Sequence, residues 1–374
     1  MAGIYVHIPF CRSACSYCDF YFTVNHRRLA DYVEAVQSEI WLRRNDLSQK
    51  IETIYFGGGT PSVLSIQAIE GILNQIFKYF SVLSDAEITL EANPEDITAE
   101  TCKQYIATGI NRLSLGIQSL SDDTLVRLNR RHTADAASTA LKTTLSAGFR
   151  SVSADVMYGI PTEKNNSFHE TIKQLLSIQV PHISAYALTV ESKTKLSLDI
   201  MKNQYPPVLD EQQVSESNWL NEILTENKFE RYEISNYALS GHYSKHNIGY
   251  WSRKPYLGIG AAAHSFVNQT RSWNIKPVSE YIRAVRENRS LQAGQETLVG
   301  NTIWNDFVLT KLRMKQGFTW QEAEQNFPNF QKQSLLKVVQ PLQQKGWLLP
   351  DSTKIALTQE GFHFADKVIT SLFL

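Results

Sequence analysis

Ile4-Tyr5-Val6-His7-Ile8-Pro9-Phe10-Cys11-Arg12-Ser13-Ala14-Cys15-Ser16-Tyr17-Cys18 runs a strand-like apolar stretch straight into three cysteines that fall within eight residues. The fourth cysteine, Cys102, stands alone in TCKQY, a segment with helical character. An odd cluster of three does not make a disulfide framework. Structural zinc sites usually draw four ligands from paired CxxC spacings, whereas three thiolates at CxxxCxxC spacing suit a loop wrapped on an iron-sulfur cluster. Three cysteines hold three irons of a [4Fe-4S] cube and leave the fourth open to a small ligand, here the amino and carboxylate groups of a methionine moiety. Cys102 reads as a small core hydrophobe.

Outward from this stretch the chain repeats one rhythm. Strand-like runs at 4–8, 53–56, 87–92, 112–117, 151–157 and 182–188 alternate with helical stretches, the order of a parallel sheet. Helix signals agree: Asp31 to Glu34 opens an amphipathic pattern, Thr98 starts another, and Gly109 and Gly148 sit where C-caps belong. Six such units predict an open, partial (β/α)6 barrel of the TIM type over 1–200. Past residue 200 the rhythm breaks. A connecting region, 201–300, contains helices near 210–227 and 278–289 among turn-rich segments and completes the barrel face. A tail, 301–374, reads as three helices, a small hairpin of Trp347–Leu349 with Lys354–Leu357, and a closing helix, resembling a winged-helix module.

Composition excludes several classes. With 374 residues, 43% hydrophobic and 20% charged, the chain is globular rather than disordered. Lys plus Arg and Asp plus Glu are 37 each, so no global field draws it to nucleic acid or anionic lipid. The tail, with eight basic against six acidic residues, has too small an excess for a phosphate footprint, so it reads as a packing module and no nucleic-acid partner is expected. Mean hydropathy is -0.27 and no apolar run approaches the ~18 residues of a membrane span. MAGIYVHIPF has neither the basic start nor the apolar core of a signal peptide, which predicts a cytoplasmic protein.

In parallel α/β architectures ligands bind at the carboxyl ends of the strands. That rule gathers Gly57-Gly58-Gly59-Thr60-Pro61, Glu91, Asn93-Pro94, Gln118, Asp155 and Tyr158-Gly159 at one mouth. The glycine run lacks the lysine of a P-loop; it is either a tight turn or a close backbone approach to the charged end of an amino acid. Glu91 suits a ribose or an ammonium. Gln118, Arg130 and Asp155 add an amide, a carboxylate clamp and a hydroxyl acceptor, a set suited to a nucleoside linked to an amino acid.

YVHIPFCRSACSYC, GGGTPS, EANPED, GIQS, DVMYGIP, YEISNYA and YLGIGAAAHS, in that order and almost end to end, resemble the radical S-adenosylmethionine (SAM) proteins of the oxygen-independent coproporphyrinogen III oxidase group. The resemblance implies a partial barrel whose [4Fe-4S] cluster reduces SAM to a deoxyadenosyl radical. It implies that Cys11, Cys15 and Cys18 ligate the cluster, and that Tyr5, Tyr17, Gly58, Gly59, Thr60, Glu91, Gln118, Arg130 and Asp155 contact SAM. Two departures point to the heme-chaperone branch. The oxidases carry another cysteine two positions after the third, where this chain has Phe20, and His246-Asn-Ile-Gly-Tyr250-Trp251 resembles the HNxxYW signature of the chaperones. His246 could then be an axial heme ligand, with Tyr250 and Trp251 against the porphyrin edge; read without the resemblance, the same residues are a histidine beside two core aromatics. The expected function is heme delivery to apo-hemoproteins, membrane-associated acceptors among them, with self-association left open. The alternative is a coproporphyrinogen III oxidase; a radical SAM enzyme acting on RNA ranks third. His264 and His7 follow His246 as heme candidates, His264 lower because AAAHSF reads as buried and His7 lower still because it precedes the cluster loop.

Overall fold

The structure is a computed structural model that describes residues 1–161, 166–327 and 332–374. The six strand-like runs form β1 (Ala2–Ile8), β2 (Ile51–Gly58), β3 (Val82–Ala92), β4 (Arg112–Gln118), β5 (Ser151–Tyr158) and β6 (His182–Ala187), each parallel to its neighbour in chain order. They are buried on both faces, and β4 to β6 alternate: Leu113, Leu115, Val152, Ala154 and Ile183 join the apolar cores, while Arg112, Ser114, Ser151, Ser153 and His182, buried but polar, face the other way.

The covering helices start and stop where local chemistry dictates. Ser65 caps Ile66–Tyr79 by accepting from the Ala68 amide, and Thr98 and Thr101 exchange side-chain-to-backbone bonds in a reciprocal capping box at the head of Ala99–Ala107. Gly109 and Gly148, at φ of +101° and +96°, turn the chain out of the helices that precede β4 and β5.

The region after residue 200 contributes more sheet than its sequence suggests. β9 (Tyr256–Ile259) lies parallel to β1 on the side away from β2, and β10 (His264–Val267), β11 (Thr270–Asn274) and β12 (Gln292–Thr297) extend that edge antiparallel. At the opposite edge β8 (Asn236–Ala238) pairs antiparallel with β6, and β7 (Glu230–Arg231) with β8. The order β12-β11-β10-β9-β1-β2-β3-β4-β5-β6-β8-β7 gives twelve strands whose two ends remain edges, an open barrel. Glu39 fastens the added strands. Its fully buried carboxylate accepts from the Gly260 amide at 2.7 Å, Tyr281 Oη at 2.6 Å and Asn274 Nδ2 at 2.7 Å, and pairs with Arg43, so its charge is compensated on every side.

The tail has its own apolar core around Trp304, Phe307, Phe318, Val339, Leu348 and Ile355. The two arms of the expected hairpin meet at an antiparallel Leu348–Leu357 bridge, with the Leu349 amide donating to Ala356 O at 2.9 Å and the Thr358 amide to Trp347 O at 3.1 Å, and Lys354–Ile355 also pair with Phe318–Thr319. Pro350, which has no amide to donate, sits in the turn between the arms, and Phe318 brings a buried ring to the additional strand. Among the described residues no helix is long and apolar enough to cross a membrane.

Candidate functional site: a cysteine loop over the strand ends

β1 delivers the chain to Phe10, and the cysteine loop is then fixed from two sides. From β2, the Gly59 amide donates to Ile8 O and the Thr60 amide to Phe10 O, both at 2.8 Å. Two amides of the glycine run are therefore spent on the segment that leads into the cysteines, while Gly58, Gly59 and Thr60 still line the cavity. A Cβ on Gly59 would lie 2.9 Å from Cys11 Sγ and from both of those carbonyl oxygens, so only glycine lets the two loops meet. On the far side Asn129 Nδ2 donates to Ala14 O at 2.6 Å, the Ser16 amide to Leu128 O at 3.2 Å, and the Leu196 amide to Ser16 O at 2.8 Å.

Cys11, Cys15 and Cys18 face one cavity of about 570 Å³, and all nine residues the resemblance implied for SAM line it too. Cys102 is fully buried in the sheet's helical cover, away from it. Glu91 sits at the centre: Tyr55 Oη donates to its Oε1 at 2.8 Å and the Gly58 amide to its Oε2 at 3.2 Å, while burial pushes its carboxyl up to about 7. Asp155, also pushed up by burial, accepts from Ser114 Oγ at 2.9 Å and Ser153 Oγ at 3.2 Å. Gln118 ends β4 at a φ of +64°, which turns it out of the ladder toward the cavity.

Arg130 is less free than a carboxylate clamp. Its Nη2 donates to Asn93 Oδ1 at 2.8 Å and Gly116 O at 2.7 Å, and Nη1 to Cys15 Sγ at 3.4 Å; only Nε is left buried without a hydrogen bond. His7 adds a second such atom. Tyr5 Oη is 3.0 Å from His7 Nδ1, Nε2 has no hydrogen-bond partner, and burial lowers the imidazole to about 4.

These features fit a [4Fe-4S] cluster with SAM. Three thiols on one short loop line a cavity roomy enough for a multi-iron cluster. Burial raises Cys11 and pushes Cys18 up to about 11, a cost to thiolate that iron charge reverses. Arg130 Nε and His7 Nε2 are the unpartnered atoms that a polar ligand in this space would satisfy.

The comparisons agree with this geometry. The Radical SAM superfamily matches residues 5–175 and the HemN C-terminal domain matches 300–364. The heme chaperone HemW of Lactococcus lactis is 30% identical over 99% of this chain and 97% of its own length, and that of Bacillus subtilis 30% over 96% of each. The chain belongs to the HemW family of radical SAM proteins. In fold it follows the coproporphyrinogen III oxidase HemN of Escherichia coli, with a TM-score of 0.86 at 20% identity over all of this chain and 90% of that one.

The HNxxYW residues lie outside the cavity, on the short helix Lys245–Trp251 packed behind β1 and β2. His246 is 3% exposed with both ring nitrogens engaged: Nδ1 is 2.8 Å from Thr53 Oγ1 and Nε2 is 2.9 Å from Tyr250 Oη. Burial lowers it to about 3, so the ring is neutral. Trp251 Nε1 donates to Glu233 Oε2 at 3.0 Å. His264 is exposed on β10 and stacks on Trp273 with centroids 5.9 Å apart, a correction to its reading as buried; its neighbours Ala263 and Ser265 are buried, and the alternation of a strand turns the imidazole to the open face. The sequence reading missed the supports Tyr55, Ser114, Ser153 and Thr53. Their one signal was a polar group breaking an otherwise apolar strand.

Proposed function

We propose that this chain is a heme carrier built on a radical SAM scaffold, with Cys11, Cys15 and Cys18 holding a [4Fe-4S] cluster and the cavity residues from Tyr5 to Asp155 holding SAM. The observation that carries the reading is Phe20. It stands at the cavity mouth, 72% exposed, where the oxidases place an additional cysteine. Full-length similarity to proteins named heme chaperone supports the same choice.

When bound, a cluster of this kind supplies the electron that cleaves a sulfonium carbon–sulfur bond. The protein's own part is positional. Glu91 and Asp155 offer acceptors from β3 and β5, on either side of β4, Arg130 holds Cys15 against Asn93, and the glycine loop keeps the thiols at a fixed depth. Heme contacts are assigned to His246, Tyr250 and Trp251. Because the Tyr250 hydroxyl occupies His246 Nε2, iron ligation at that nitrogen and the Tyr250 bond are alternatives, and heme entry there requires the hydroxyl to leave. Apo-hemoproteins of the cytoplasm or its membrane face are the assigned acceptors.

The test is anaerobic. Cluster-reconstituted protein receives coproporphyrinogen III, reductant and SAM beside an authentic oxidase, while a second sample is titrated with heme and mixed with an apo-hemoprotein. The expected result is a Soret band that transfers to the acceptor and no decarboxylation. Turnover to protoporphyrinogen would instead make the chain an oxidase.

A further inference from the structure

Two chains of contacts leave the cavity and meet on one helix. The first starts at Glu91, which accepts from Tyr55; the Tyr55 ring stacks on His246 with centroids 5.0 Å apart and planes 25° apart, and His246 is held between Thr53 and Tyr250. The second starts at Asp155. Ser153 Oγ donates to it, Ser153 Oγ is 2.7 Å from His182 Nδ1, and His182 Nε2 is 2.8 Å from Tyr232 Oη, which accepts from the Ser244 amide at 3.3 Å. His182 is fully buried and kept neutral by burial. With its proton on Nδ1, every donor in this chain points toward the Asp155 carboxylate, an arrangement in which each bond polarises the next.

Ser244 is the N-cap of Lys245–Trp251, and Glu87 accepts from the first two amides of that helix at 3.1 Å each. The other end of the helix reaches the tail. Trp251 bonds Glu233, Glu233 bridges Met314, the Lys315 amide donates to Tyr232 O at 3.2 Å, and the Arg313 guanidinium lies over the Trp251 ring at 5.4 Å. Tyr232 and Glu233, adjacent in sequence, therefore touch the Asp155 chain, the helix and the tail at once.

We propose that the Lys245–Trp251 helix couples the cofactor cavity to the C-terminal unit, with His246, Tyr232 and Glu233 as its positioning residues. A ligand that moves or charges Glu91 and Asp155 biases the packing of the helix, and the packing of 301–374 biases ligand affinity in return, since coupling is reciprocal. The coupling rests on the cavity being the SAM site and is independent of whether heme also binds at this helix.

Hydrogen exchange read by mass spectrometry on the full-length, cluster-reconstituted protein, with and without saturating SAM, tests it. SAM is expected to slow exchange several-fold at the ends of β3 and β5, and also across 245–251 and 310–316. Tyr232→Phe, which removes one hydroxyl, and Glu233→Gln, which keeps the shape but weakens the Trp251 bond, are expected to retain protection at the strand ends and lose it at 310–316. A merely structural role for these side chains would not separate the two regions. Protection confined to the cavity in the wild-type protein, or distal protection unchanged in both variants, would overturn the coupling. SAM that protects no segment would overturn the cavity reading, and the coupling with it.

Discussion

Glu91 is held up to about 7 by burial, against an ordinary carboxyl near 4.5, so between those values the folded state binds a proton that the unfolded chain has released. Stability then falls as pH rises through that window, opposite to a salt-bridged carboxylate, by up to roughly 3 kcal/mol in all. Urea unfolding of the SAM-free protein between pH 4.5 and 8 should show this slope, and Glu91→Gln should flatten it; an unchanged slope in the variant would place the proton elsewhere. The cysteines make a second test at this scale. Ala at Cys11, Cys15 or Cys18 should abolish the visible absorbance of the reconstituted cluster, while Cys102→Ala, in the core, should keep it and lose only stability; equal losses at Cys102 would return that residue to the site. Gly58, Gly59, Glu91 and Gln118 were legible as polar or glycine positions at or next to strand ends, whereas Tyr5 and Tyr17 followed only from the family resemblance. Tyr55, Ser114 and His182 were not legible, since each acts on a partner one strand away, through a register that one sequence does not contain.

The loop after β2 and the helix Lys245–Trp251 show how an element's surroundings decide what a glycine is for. A Cβ on Gly59 meets two backbone oxygens that cannot move aside, so Gly59→Ala should cut iron retention after reconstitution while the far-ultraviolet spectrum stays native. Gly249 has open space around its Cβ direction and ordinary helical geometry, so Gly249→Ala should stabilise by about 0.5–1 kcal/mol in thermal melts. The reverse ranking would mean that the glycine loop does not seat the cysteines. Elements with their own local signals were readable in advance: the six parallel strands, the Thr98 cap, the Gly109 and Gly148 turns. β9 was not, because YLGI is four residues long and its partner β1 lies some 250 positions earlier. Nor was the ladder of Phe318–Thr319, where two residues pair only because the tail's core brings them together.

At the scale of the whole molecule, the sheet and the tail have separate apolar cores, and ion pairs, a cation–π contact and the packing of Ile234 on the tail's core join them. Asp306, buried in the first helix of the tail, Asn301–Lys311, pairs with Arg253 Nε at 2.7 Å and with Arg271 of β11; Arg231 of β7 lies over the Phe362 ring at 4.0 Å. Charge compensation is therefore one of the things that hold this joint. Removing the Asp306 carboxylate leaves Arg253 without its ion pair and Arg271 with only its longer pair to Glu296, and because both arginines keep some solvent contact the cost should be roughly 3 kcal/mol, the low end for a broken buried pair. That loss falls on the joint and on the helix that carries Asp306, while the sheet keeps its Glu39 network and both of its cores. Asp306→Ala should therefore split unfolding, with the tail melting first and proteases cutting near residue 300 before the sheet gives way. Calorimetry with timed proteolysis reads both effects. A single transition shifted as a whole, with no early cleavage near 300, would mean that sheet and tail unfold as one body despite their separate cores.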